Sequence, residues 1–125
     1  MISGFHHVKL PVSDLSASRE WYRRVLGFET AIEFEEDGVV RGVALARDGT
    51  DASIALRHDP QRAAAWSGFE PLALLVPERE DVHAWKARLD EAGAPHGGVV
   101  TGHRGGAVLV GLHDPDGIEI RLYAD

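Results

Sequence analysis

The chemistry of this chain rests on a few polar residues set at alternate positions of strand-like runs. In the closing stretch V-G-L-H-D-P-D-G-I-E-I-R-L-Y, Ile118, Ile120 and Leu122 share one face of a strand, and Glu119, Arg121 and Tyr123 share the other. A charged row of that kind must face water or a cavity. Near the start, F-H-H-V-K-L-P-V places Val8, Leu10 and Val12 on one face and His7, Lys9 and Pro11 on the other. Arg57 belongs to the same polar set. His7 carries the group suited to general-base catalysis near neutral pH, and it serves equally as a hydrogen-bonding residue. Lys9, Arg57 and Arg121, with Glu119 as counter-charge, suit a small anionic or carboxylate-bearing ligand gripped by the planar fork of Arg121. In the alternative they pair with Glu119 or reach solvent at a rim. The remaining histidines, His58, His83, His96, His103 and His113, have no metal-binding spacing and read as solvated, while His6 reads as pointing to the opposite face or the strand end.

The elements that must position these residues follow from periodicity and punctuation. Phe5–Val12 reads as a strand. Ser13-Asp14 offers an N-cap, and Leu15, Ser18, Trp21, Tyr22, Val25 and Leu26 recur at helical spacing until Gly27. Strands are expected over 28–36, 39–47 and 52–58, parted by Asp37-Gly38 and Asp48-Gly49, the pairs that supply positive φ in tight turns. Asp59–Gly68 reads as a linker with one helical turn. A second strand at 71–77, a helix stripe of Val82, Trp85, Leu89 and Ala92 ended by Gly93, and strands at 99–100, 107–112 and 118–123 repeat the order. Trp21, Tyr22 and Trp85 are expected in the helix cores. Asp114-Pro115-Asp116-Gly117 is a turn by composition, and the glycine-rich Thr101–Ala107 reads as a flexible hairpin, since it lacks the ending and following helix of a phosphate loop.

The two halves match residue by residue. A shift of 64 places Leu10 on Leu74, Val12 on Val76 and Trp21 on Trp85, and a shift of 66 places Gly27 on Gly93 and Ile54 on Ile120. The expected fold is therefore α+β: two paired βαβββ modules forming a curved mixed sheet around a central groove, within a single domain spanning 1–125. Module one covers about 4–59, the linker about 60–69 and module two about 70–124. Approximate two-fold symmetry would bring positions 7, 55, 71 and 121 together. Trp66 and Phe69 in the linker fit neither periodicity; they are candidates to lid the groove and stack on a planar ligand, or to staple modules or fill a dimer seam.

Composition narrows the function classes. With 125 residues, 44% hydrophobic and 26% charged, the chain has globular balance. A net charge of −7 argues against non-specific nucleic-acid binding and fits a cytoplasmic protein. The absence of cysteine excludes disulfides and thiolate chemistry, no Gly-x-Ser-x-Gly elbow is present, and no apolar run is long enough for a membrane helix.

The opening H-H-V-K-L-P-V-S-D-L…W-Y-R-R-V-L-G-F and the closing D-P-D-G-I-E-I-R-L resemble the signatures of the vicinal oxygen chelate superfamily, the glyoxalase, bleomycin resistance protein and extradiol dioxygenase group. The resemblance implies paired βαβββ modules around a groove, commonly in a homodimer, and in the metalloenzymes a divalent ion held by His and Glu at the four convergent positions. Here those positions carry His7, Ala55, Pro71 and Arg121. A lone imidazole does not hold a divalent ion, and a guanidinium repels one. Glu119, one strand period away, would raise the ligand count only to two. The expectation is a protein without metal or cofactor that binds a small molecule, metabolite or antibiotic, in the groove. The alternative is an enzyme, a lyase, isomerase or dioxygenase with relocated ligands, or a metal-free one using His7 as base.

Overall fold

The computed structural model describes residues 1–125. The chain forms two units, Met1–Trp66 and Ser67–Asp125, each with its own four-stranded mixed sheet. In the first unit β1 (Val8–Val12) is followed by α1 (Leu15–Leu26), β2 (Glu29–Glu36), β3 (Val39–Ala46), β4 (Ser53–His58) and α2 (Pro60–Trp66). The second unit runs β5 (Leu72–Leu75), α3 (Arg79–Glu91), β6 (Gly98–Thr101), β7 (Ala107–His113) and β8 (Glu119–Ala124). The strand orders are the same, β1-β4-β3-β2 and β5-β8-β7-β6, with the first and last strands paired in parallel. Val8 pairs with Ile54 in one unit and Leu72 with Ile120 in the other, the register expected from the repeat. The α+β class and the doubled βαβββ order are as the sequence implies; each sheet is open.

Helix α1 begins where Asp14 accepts the N–H of Ala17 at 3.0 Å, and it ends at Gly27, whose φ of 75° lets its own N–H return to the Arg23 carbonyl. It packs on β2, β3 and β4, burying Ser18, Tyr22, Val25 and Leu26, and Arg19 ties it to Glu33 at 2.8 Å and to Thr30 at 3.2 Å. Val43, Leu45, Ile54 and Leu56 complete this core layer. The Asp37-Gly38 turn takes positive φ at both residues, 54° and 77°, the geometry that matches the twist of a two-residue hairpin.

Several expectations need correction. Trp21 and Trp85 are half-buried rather than core; Trp21 lies edge-on to the buried Tyr22, and Trp85 carries the Arg88 guanidinium 4.8 Å above its ring. The strand-like run at the N-terminus starts at Val8, not Phe5, and Phe5 is exposed. The linker holds a seven-residue helix, α2, which packs on β1 through Ala63. His96 is not solvated: its side chain is 7% exposed, Gly98 donates its N–H to Nδ1 at 2.9 Å, and Nε2 lies 2.6 Å from Asp90. With Nδ1 accepting, the ring proton sits on Nε2, so the imidazole ties α3 to the start of β6.

The glycine-rich hairpin is laid down rather than loose. Gly102 donates its N–H to the Gly106 carbonyl, a Cβ on Gly106 would collide with the Ala124 carbonyl, and one on Gly102 would meet the Tyr123 hydroxyl at 2.9 Å. These glycines serve close packing against the end of β8.

Candidate functional site

The face of the first sheet opposite α1 is a trough. Cross-strand register gives its section: one row runs Lys9, Ala55, Ala44, Ile32 from β1 to β2, and the next runs Pro11, Arg57, Gly42, Phe34. The two inner strands therefore carry small side chains at the centre, Ala55, Ala44 and Gly42, while the outer strands raise Lys9 on one side and Ile32 and Phe34 on the other. The result is a cavity of about 430 Å³ with a flat floor and tall walls. That lies within the ~300–1,000 Å³ range of small-molecule sites. Gly42 is required where it stands, because a Cβ there would press on the Leu56 carbonyl at 3.0 Å and lie 3.8 Å from the stem of Arg57.

Polar groups flank the apolar centre of the floor, with Ser53 and Arg57 on β4 itself. His7, just ahead of β1, and Lys9, on β1, both line the cavity. His6 lines it as well, contrary to the expectation that it points away, because regular alternation begins only at Val8. The two Nδ1 atoms of His6 and His7 are 2.9 Å apart, so one donates and the other accepts, and in the neutral pair one Nε2 is left as a donor and the other as an acceptor. Arg57, on β4, is held by both oxygens of Glu36 at 2.8 and 3.1 Å. The hydrogen bond from Arg57 holds the Glu36 carboxyl below the usual range, and the same bond raises Arg57. Lys9 is the one cavity cation with neither an ion pair nor a hydrogen bond to the protein.

Glu119 and Arg121 lie on β8 of the second unit, on the face opposite Ile120 and Leu122, as the alternation requires. Arg121 Nε sits 2.6 Å from Glu119 and 2.7 Å from Glu70, so its charge is offset by two carboxylates, the pairing the sequence held as the alternative to ligand binding. His113 approaches Glu119 at 3.7 Å. Burial acts to raise the pKa of Glu119, whose side chain is 12% exposed, but hydrogen bonds from Arg121 and from the Gly111 N–H outweigh it and hold the carboxyl below its ordinary value. The register break between Leu109 and Leu112 is what turns the Gly111 amide toward it. Trp66 ends α2 and is half-buried; Phe69 is 55% exposed, and its carbonyl accepts the N–H of Glu119 at 2.9 Å.

Because the Glu119 carboxyl sits below its unfolded value near 4.5, its contribution to stability is present above that pH and disappears as the folded form takes up its proton. The Glu119 contribution to the melting midpoint should be constant down to about pH 5 and decline below about 4.5. Glu119→Gln should flatten part of that acid limb. A variant with the same acid dependence as the native chain would show that Glu119 contributes nothing to it.

A divalent ion of the kind the resemblance implies does not fit the donors present. His7 is the single ligand-type side chain among positions 7, 55, 71 and 121, Glu119 is engaged by Arg121, and within neither unit do three His, Asp or Glu side chains converge.

Residues 4–122 match the family model described as glyoxalase/bleomycin resistance protein/dioxygenase superfamily. The chain belongs to this superfamily. Among its members it is 30% identical over 125 residues to catechol-2,3-dioxygenase of Bacillus subtilis (strain 168), covering 95% of this chain and 40% of that protein. A putative ring-cleaving dioxygenase, MhqA, from the same organism is 26% identical and is covered to 41%, so the chain spans about two fifths of the length of these relatives. The superfamily fold is shared with TnmS3, an antibiotic binding protein from Streptomyces sp. CB03234, at a TM-score of 0.75 and 28% identity, covering 98% of this chain and 96% of that one. It is shared also with a superfamily member from Sphaerobacter thermophilus DSM 20745, at a TM-score of 0.78 and 21% identity, with 99% and 98% covered.

The polar members His7, Lys9 and Arg57 were visible in the sequence, but the floor and apolar wall were not among the candidates. The available signal was small residues at alternate positions of two strands joined by a turn, Gly42, Ala44 and Ala46 against Ser53 and Ala55.

Proposed function

We propose that this chain binds a small organic molecule, a metabolite or an antibiotic, in the trough of its first module and does so without a metal ion. The observation that carries this reading is the floor of Ala44, Ala55 and Gly42 between walls of different chemistry, a surface with room for a ligand and no set of donors for a cation. The likeness to an antibiotic binding protein supports it. The same reading makes the protein a cytoplasmic homodimer; no helix is long and apolar enough to cross a membrane, and Val39, at the tip of the β2–β3 hairpin and outside the trough, leaves apolar surface for a second copy to cover.

A second reading, a ring-cleaving or lyase-type enzyme, is favoured by the dioxygenase relatives. It requires either a metal the donors do not fit or His7 acting as a base. Titration with zinc, nickel, manganese and ferrous iron separates the metal-dependent form of this reading from the first. Equilibrium dialysis should find no stoichiometric binding at micromolar metal, and melting midpoints should not move by more than about 1 °C, since a ligand stabilises only in proportion to its occupancy. Tight one-to-one binding of any of these ions would remove the metal-free reading.

A further inference from the structure

Taking the proposed binding in the trough as given, we infer that Lys9 sets the charge of the ligand, and that the cavity takes a flat ring-bearing molecule with one acidic group, a carboxylate or an ionised phenol. Three observations lead there. The centre of the floor is low and apolar, because Ala55, Ala44 and Gly42 on the inner strands carry no side chain longer than a methyl group, so a planar body has room there between Arg57 and Ser53. Phe34 and Ile32 rise from β2, one aromatic and one branched, and both are half-exposed, at 49% and 53%. The remaining polar groups leave one uncompensated charge. Arg57 and Glu36 cancel each other through two hydrogen bonds, His6 and His7 satisfy one another through their Nδ1 atoms, and Lys9 stands alone on the wall opposite Phe34 and Ile32.

A ligand lying across the floor thus meets carbon at one end and an ammonium at the other. A cationic ligand would meet Lys9 as a like charge. A neutral one would leave the ammonium partly desolvated without an anion beside it. An acidic group at the Lys9 end forms a charge-assisted hydrogen bond and removes that cost, and the Nε2 donor of the histidine pair adds a second contact nearby. Arg121, the cation with most promise in the sequence, has its charge already met by Glu70 and Glu119.

Three matched probes test this: 2-naphthoate, 2-naphthalenemethanol and 2-naphthylmethylammonium, which share a ring system and differ in charge. Titration calorimetry on the native chain should rank the anion first, by roughly tenfold to a hundredfold over the alcohol, with the cation weakest. Lys9→Met keeps the length of the stem and should remove the advantage of the naphthoate over the alcohol, the naphthoate weakening and the alcohol binding as well as before or slightly better. Lys9→Glu should reverse the order of the two ions. If all three probes bind alike to the native chain, or the preference for the anion survives in Lys9→Met, the assignment to Lys9 is overturned while binding in the trough stands. If none of the three binds the native chain, both the assignment and the proposed binding fall. Lys9 is exposed on its strand, and unchanged circular dichroism and melting would show that each variant is folded.

Discussion

Ala44→Phe should abolish ligand binding while leaving the protein folded. Ala44 lies at the centre of the trough floor, paired with Ala55 on one side and Ile32 on the other, and its Cβ points away from the α1 core, since its neighbours Val43 and Leu45 are the residues buried there. A phenyl ring at this position occupies the space in which the ligand's flat body would rest. Affinity for 2-naphthoate should drop by roughly a hundredfold or more, since both the floor contact and the approach to Lys9 are lost. Stability should change by no more than about 1 kcal/mol, because the ring enters open space and displaces no core side chain. Calorimetric titration beside a urea melt separates the two effects. Undiminished naphthoate binding by a folded Ala44→Phe variant would place the ligand somewhere other than the trough.

Asp114→Ala should be among the most destabilising single changes outside the apolar core. Asp114 is 4% exposed, and its Oδ1 accepts the N–H groups of Asp116 at 2.9 Å and Ile118 at 3.0 Å, while its backbone carbonyl accepts that of Gly117 at 2.9 Å. The side chain thus closes the Asp-Pro-Asp-Gly turn from inside, and the turn feeds Ile118, itself fully buried, into β8. Alanine leaves two amides without their acceptor in a buried setting, a loss of about 3 kcal/mol. Asp114→Asn keeps an oxygen at the Oδ1 position and should recover about half of that. Urea midpoints with unchanged m-values would report the difference as stability alone. An alanine variant within about 0.5 kcal/mol of the native chain would show that Pro115 and Gly117 hold the turn by themselves.

What could be seen in the sequence, and what could not, follows from how each feature is encoded. Helix α1 and strand β8 were legible because many residues share one constraint: a cap at Asp14, a left-handed stop at Gly27, and unbroken alternation from Glu119 to Ala124. The doubling of the fold was legible because the offset is consistent at both ends of the module, and strand register later reproduces it. Helix α2 was seen as only one turn, since seven residues give too few repeats for a period to show. His96 was misplaced for another reason. Its side chain is held by the Gly98 amide two residues on and by Asp90 on α3, contacts that follow no helix or strand period. The trough floor carries no charge or imidazole to mark it in the sequence; its informative property is lack of volume. Arg121 is the converse case: alternation places it on the polar face of β8, but Glu70, two residues ahead of the β5 segment that pairs in parallel with β8, leaves no periodic trace of the ion pair.

The parallel pairing of first and last strands in each unit also bears on how the chain is made. Val8 has no strand partner until Ile54 has been synthesised, and Leu72 has none until Ile120, so the polypeptide must hold an unmated edge through most of each unit's emergence from the ribosome. The antiparallel hairpins can zip locally and early, leaving closure by the amino-terminal strand as the contact of longest sequence separation. Synthesis of residues 13–54 and the closure that follows it together set the least time for which that edge stays open to pairing with a neighbouring nascent chain.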